Sequence, residues 1–218
     1  MADAVPVTLA AKPARKPKPL DWIYWGVFTG CLVPLGILLV GLVNGSLNFN
    51  LELDVVLNQL GYLGLCLLLA SLACTPLRLV FGLTWPSKLR KTLGLFGFMY
   101  IALHATLYFK KQSFSVATVY REVIASQFIF YGMLAFLLLI PLALTSTNGM
   151  IKRLGGKRWQ MLHKLVYVIG ILGVVHFYFR IKGNDKHEAL VCGGILALLL
   201  GVRVYKWLTR KKRAPVKA

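Results

Sequence analysis

Six long, predominantly apolar runs divide the chain, at roughly 22–43, 56–75, 92–111, 126–145, 160–180 and 189–208. About 20 residues of helix cross the hydrocarbon core of a bilayer, so each run predicts one membrane-spanning helix. The runs are continuous rather than alternating, which disfavours strands. Local punctuation supports the spans. Asp21 precedes the first run as an N-cap, and Pro76 and Pro86 bracket the second loop. Asn148-Gly149 and Gly155-Gly156 break the chain after the fourth run. Pro34 and Pro141 fall inside spans, where a kink is tolerated. The segment 112–125 predicts a short interfacial helix. The expected fold class is all-α, an integral membrane bundle of six transmembrane helices over 21–209. A disordered cytoplasmic tail is expected over 1–20 and a basic cytoplasmic tail over 210–218.

The polar residues then give a direction. Lys and Arg cluster in the N-terminal tail (Lys12, Arg15, Lys16, Lys18), the second loop (Arg78, Lys88, Arg90, Lys91), the fourth loop (Lys152, Arg153, Lys157, Arg158) and the C-terminus. The opposite side is poorer in them at every loop, which predicts both termini in the cytoplasm. Only 15% of residues are charged and 57% are hydrophobic, a membrane protein's balance. The net charge of +19 therefore reflects topology and attraction to anionic lipid, not nucleic-acid binding, because no basic face lies on a soluble domain. Cys31, Cys66, Cys74 and Cys192 all lie in apolar runs with no Cys-x-x-Cys spacing, which argues against zinc, a disulfide framework and covalently attached haem. Residues 1–19 are rich in Pro, Ala and Lys and lack a convincing cleavage site, so no cleaved signal peptide is expected.

Chemistry concentrates in the histidines. His187 lies between Lys186 and Glu188 in a short polar loop, where solvation accounts for it. His104 and His176 lie inside the third and fifth spans. An ionisable residue at that depth faces the bundle interior with a partner. The bland reading is a hydrogen bond to another helix. The depths say more. Both spans run outward from the cytoplasm; His104 follows Arg90 by 14 residues and His176 follows His163 by 13. At about 1.5 Å per residue each step covers about 20 Å, so His104 and His176 share one level and Arg90 and His163 another, nearer the cytoplasm. Two histidines at one depth on neighbouring helices are placed to clamp a haem iron from both sides, and such a haem passes electrons rather than binding substrate. Facing is less tidy. At about 100° per residue the 14-residue step misses the same face by about 40°, and the 13-residue step by about 140°. The fifth helix needs a rotated or kinked geometry, or two sites in different directions. At the inner level Arg90 is a poor iron ligand but a good partner for a propionate or phosphate, against the plain reading of a positive-inside loop charge. His163 likewise has an interfacial, amphipathic alternative.

Two blocks carry a family resemblance. One is Ser87-Lys-Leu-Arg90-Lys-Thr-Leu-Gly-Leu running into Tyr100-Ile-Ala-Leu-His104 and Tyr108. The other is Thr145-Ser146, Arg153-Leu-Gly, Trp159-Gln-Met-Leu-His163-Lys-Leu-Val-Tyr167 and His176-Phe. Together they resemble the haem-binding membrane subunit of the bacterial periplasmic methionine sulfoxide reductase system, the MsrQ or YedZ type, within the ferric reductase-like transmembrane superfamily that includes NADPH oxidases. In that superfamily the third and fifth helices each carry two histidines that hold two stacked haems. Here three positions are His and the fourth is Arg90. The resemblance implies haem b on His104 and His176, leaves a second haem open at His163, and adds flavin mononucleotide (FMN). It implies a bacterial inner-membrane location and a periplasmic molybdenum-cofactor methionine sulfoxide reductase as electron acceptor. It also implies the quinone pool or a cytosolic flavin reductase as donor; no nucleotide-binding Gly-x-Gly-x-x-Gly follows a strand, so electrons are expected to arrive from elsewhere. The competing readings are a b-type ferric or quinone reductase outside methionine repair, and a transporter using buried histidines as proton relays. Near-absence of Asp and Glu from the spans disfavours the transporter.

Overall fold

The computed structural model describes residues 19–45, 53–181 and 186–213. Among them there are nine helices: α1 (Pro19–Val43), α2 (Leu53–Phe81), α3 (Pro86–Lys111), α4 (Val116–Ala125), α5 (Gln127–Leu144), α6 (Asn148–Leu154), α7 (Gly156–Leu162), α8 (Leu165–Arg180) and α9 (His187–Arg213). Six stretches are long and apolar enough to cross a membrane: α1, α2, α3, α5, α7 with α8, and α9. Large apolar side chains such as Trp25, Ile37, Leu137, Val191 and Leu198 stand exposed around the bundle. On a soluble monomer such a surface would be an association patch; on this bundle it faces lipid. The chain is an all-α, multi-pass membrane protein.

α2 is the hub. Its Leu65, Leu69 and Leu72 pack against Phe177 of α8 and against Cys192, Leu196 and Leu199 of α9. One turn away, Leu68 meets Ala135, Leu139 and Leu142 of α5 and Ile169 of α8. Val56 and Leu60 cluster with the fully buried Tyr100 of α3. The most extensive helix pairings are α2 with α3 and α5 with α8. Two glycines bring α2 and α3 together: a Cβ on Gly64 would sit 2.5 Å from Ile101 Cγ1, and one on Gly97 would sit 3.0 Å from Leu68 Cδ2. Small residues at a crossing are the usual device where lipid removes the hydrophobic driving force between helices. α1 is peripheral, with 6% of its span buried. Its polar tie is Tyr100 Oη, which donates to the Cys31 carbonyl at 2.7 Å.

Several expected boundaries move. α1 begins at Pro19, so Asp21 lies in its first turn rather than ahead of it; proline suits a first helical position. α2 does not stop at Pro76 but runs through it to Phe81. Pro76 lacks the N–H that would serve the Leu72 carbonyl four residues earlier, and Arg203 of α9 donates to that carbonyl instead. α3 starts at Pro86, so Arg90 stands on the helix and not in a loop. The segment after the fourth span is helical, as α6 and α7, broken only at Gly155 with φ +75°. The interfacial helix expected within 112–125 is α4. Ser115 caps its first turn by accepting from the Thr118 N–H, Val119 is buried, and Val116, Tyr120 and Ile124 are exposed along one stripe. His187 is the first residue of α9 rather than a loop residue, and it is exposed as expected. The tail expected over 1–20 lies almost wholly outside the described residues; α9 continues to Arg213, into the basic segment expected as a tail.

Candidate functional site

His104 of α3 and His176 of α8 meet across the bundle, with ring centroids 6.2 Å apart and ring planes at 79°. Each ring is anchored from behind by a helix carbonyl. Nδ1 of His104 lies 2.7 Å from the Leu57 carbonyl of α2, and Nδ1 of His176 lies 2.6 Å from the Phe128 carbonyl of α5. A carbonyl only accepts, so both rings are Nδ1–H tautomers and their Nε2 atoms keep the lone pair. That is the state in which a neutral imidazole ligates a metal, with the second nitrogen held by a hydrogen bond.

The spacing has the same meaning. A metal–imidazole bond is about 2 Å and the ring centre lies about 1.2 Å behind its nitrogen, so two trans imidazoles on one metal have centroids about 6.4 Å apart. The observed 6.2 Å fits. Among the described residues no group of three or more His, Cys, Asp or Glu side chains is placed to hold a bare metal ion. Two imidazoles complete an octahedral shell when a macrocycle supplies the other four positions. Both rings line one cavity of about 390 Å³, within the usual range of roughly 300–1,000 Å³ for a cofactor pocket. Its walls are apolar, with Leu65, Leu68, Ile101, Phe136, Leu139 and Ile169. Its mouth is polar. There Lys111 pairs with Asp54 at 2.5 Å, while Tyr108 and Gln112 donate to Glu122 at 3.0 and 3.2 Å. Arg180, one turn beyond His176, lines the same cavity.

The second level also forms. Arg90 and Lys91 of α3, Ser71 of α2, Trp159 of α7 and His163 line a separate cavity of about 240 Å³ toward the basic face. Leu68 and Leu139 line both cavities and divide them. His163 is occupied differently from the other two. Its ring stacks on Trp159, with centroids 4.0 Å apart, and Nε2 lies 3.2 Å from Thr145 Oγ1. The Thr145 hydroxyl gives its own proton to the Pro141 carbonyl at 2.6 Å, so Nε2–H of His163 is the donor between them. The Trp159 indole N–H closes the group on the Thr145 carbonyl at 2.9 Å.

The depth pairing expected from helix rise is therefore present, and the fifth span carries part of the rotation it needed. That span is interrupted at His163 and Lys164, between α7 and α8. Three backbone bonds there close over three residues: Lys164 to Met161, Val166 to His163 and Tyr167 to Lys164. Such turns advance about 120° per residue rather than 100°, which removes roughly 60° of the misalignment. Residues outside the expected set complete the site. Arg180 was readable as a cation four residues after His176. The carbonyls of Leu57 and Phe128 leave no signal in residue identity.

Comparison with known proteins places the chain in a family. Residues 60–174 match the family model described as ferric reductase like transmembrane component. Among curated relatives, the protein-methionine-sulfoxide reductase heme-binding subunit MsrQ of Rhodospirillum rubrum is 44% identical over 192 residues, 87% of this chain and 91% of that protein. The same-named proteins of Herminiimonas arsenicoxydans and Deinococcus radiodurans are 42% and 40% identical, covering 90% and 85% of this chain and 91% of each relative. The chain belongs to the MsrQ family, within the ferric reductase-like transmembrane proteins.

Proposed function

We propose that this chain is a haem b electron carrier of the inner membrane. In this reading it takes electrons from the quinone pool or a cytosolic flavin reductase. It delivers them to a periplasmic molybdenum-cofactor methionine sulfoxide reductase that repairs oxidised proteins. The observation that carries the reading is the His104–His176 pair, 6.2 Å apart with both Nδ1 atoms tied to carbonyls. Its relatives are named as heme-binding subunits of a protein-methionine-sulfoxide reductase. The haem supplies one-electron exchange between ferric and ferrous iron. His104 and His176 would hold its iron through their Nε2 nitrogens, which would leave substrate no place on the metal, and the apolar walls would keep water away.

Charges at the mouth orient the cofactor. The two carboxylates lining the cavity, Asp54 and Glu122, are engaged by Lys111 and by Tyr108 with Gln112. Arg180 has no carboxylate partner among the described residues, so it would be the residue to pair with the haem's propionates. The cavity on the basic face is the entry point. Arg90 and Lys91 suit the acidic groups of a second redox cofactor, a further haem or FMN, and His163 reaches it by exchanging its bond to Thr145. The basic face is cytoplasmic by its Lys and Arg content, and six spans then put both ends of the bundle there.

The test is reconstitution in liposomes with reduced quinone or a flavin reductase on one side and the catalytic reductase with methionine sulfoxide on the other. Turnover that requires this chain supports the proposal. Haem reduction without delivery to the methionine sulfoxide reductase would instead support a b-type reductase outside methionine repair.

A further inference from the structure

The two haem-ligand candidates are held in matching cradles. Leu57, whose carbonyl anchors His104, lies four residues before Gly61 on α2; Phe128, whose carbonyl anchors His176, lies four residues before Gly132 on α5. In a helix the carbonyl of one residue points along the axis toward the residue four positions on, so a side chain there stands beside any outside donor approaching it. Both positions are glycine, and both imidazoles occupy the room a methyl would take. A Cβ on Gly61 would lie 2.9 Å from His104 Nδ1 and 3.1 Å from its Cε1. A Cβ on Gly132 would lie 2.6 Å from His176 Nδ1 and 2.8 Å from its Cε1. Real Cβ contacts are not that short, so a methyl at either position displaces the ring from its carbonyl.

We propose that Gly61 and Gly132 are paired positioning residues that set the orientation and basicity of the two axial imidazoles. The inference rests on the haem reading above. Each glycine lets the ring lie edge-on against its helix, so the Nδ1–H reaches the carbonyl. The two cradles come from different helix pairs, and together they fix the near-perpendicular ring planes of 79°. The Nδ1–H···O=C bond raises the electron-donating power of the coordinating nitrogen, which favours ferric iron.

The measurement is low-temperature EPR of the ferric protein in detergent, with haem affinity and midpoint potential, for wild type, Gly61→Ala, Gly132→Ala and Gly170→Ala. Gly170 is the packing control. It lies on α8, its Cβ would meet Leu196 Cδ1 at 3.3 Å, and its three nearest atoms are all leucine methyls. Near-perpendicular imidazoles give a strongly anisotropic low-spin signal with one dominant large g value. Both cradle variants are expected to shift it toward an ordinary rhombic signal and to raise the potential. They are expected to weaken haem binding by about 10–100-fold, the usual effect of losing a ligand's outer hydrogen bond. Gly132→Ala should be the more severe, and Gly170→Ala should keep the wild-type signal. If Gly132→Ala fails to accumulate, Gly61→Ala decides alone, since its clash is the milder. Unchanged signals in the cradle variants, or an equal change in Gly170→Ala, overturn the proposal. Wild-type protein without haem would overturn the functional reading instead.

Discussion

Replacing Arg203 by Met tests how a proline is carried through the central helix. Pro76 removes the amide that would bond the Leu72 carbonyl, and Leu72 is 1% exposed, so water cannot serve in its place. Arg203 donates one guanidinium nitrogen to that carbonyl and another to Leu199 at 3.0 Å, and lies 5.4 Å from the Tyr167 ring centre. Hydrogen bonds from charged donors contribute about 1.5–3 kcal/mol in soluble proteins. Interhelical bonds in membranes average about 0.6 kcal/mol and reach about 1.7. A charged donor on an otherwise orphaned carbonyl belongs at the upper end, about 1.5 kcal/mol, or roughly tenfold in the unfolding equilibrium. The single variant mixes this with relief of burying a guanidinium whose Nε has no hydrogen-bond partner among the described residues. A double-mutant cycle with Pro76→Ala isolates it, because alanine restores the missing amide. Unfolding in mixed micelles should show Arg203→Met costing about 1.5 kcal/mol more in the wild-type background than in the Pro76→Ala background. Additive costs would refute the argument.

Three further outcomes are expected. Arg180→Gln should weaken haem retention up to about fivefold, as loss of a partly exposed ion pair worth about 1 kcal/mol would, with Arg180→Lys largely restoring it in a haem titration. His163→Ala, which strips the inner cavity of its imidazole, should leave the outer haem's EPR signal intact while slowing reduction from the cytoplasmic side; loss of the outer signal would show that the two levels are not independent. Tyr100→Phe removes the hydrogen bond to the Cys31 carbonyl and should cost roughly 1 kcal/mol, read as easier protease access to α1 without change in haem content.

The bundle was legible because lipid imposes a simple rule: a segment that spans must be long, apolar and helical. The level shared by His104 and His176 followed from helix rise alone. What remained hidden depends on neighbours. Pro76 looked like a helix end because its rescuer, Arg203, lies more than a hundred residues away in sequence. Part of the rotation between His163 and His176 resides in three backbone bonds that residue identity does not announce. The short helices α6 and α7 were obscured by glycines that break the chain only at Gly155. The cradles at Gly61 and Gly132 required knowing which helices pair. A glycine four residues after an anonymous carbonyl means nothing until an imidazole is seen above it.

The most direct measurement is haem bound per chain, by pyridine haemochromogen assay, in wild type, His104→Ala and His176→Ala prepared in parallel. One haem held between the two rings predicts that both variants lose the same single equivalent and that the double variant loses no more. Retention of that equivalent in either single variant, or losses that add in the double, would contradict a shared iron between His104 and His176.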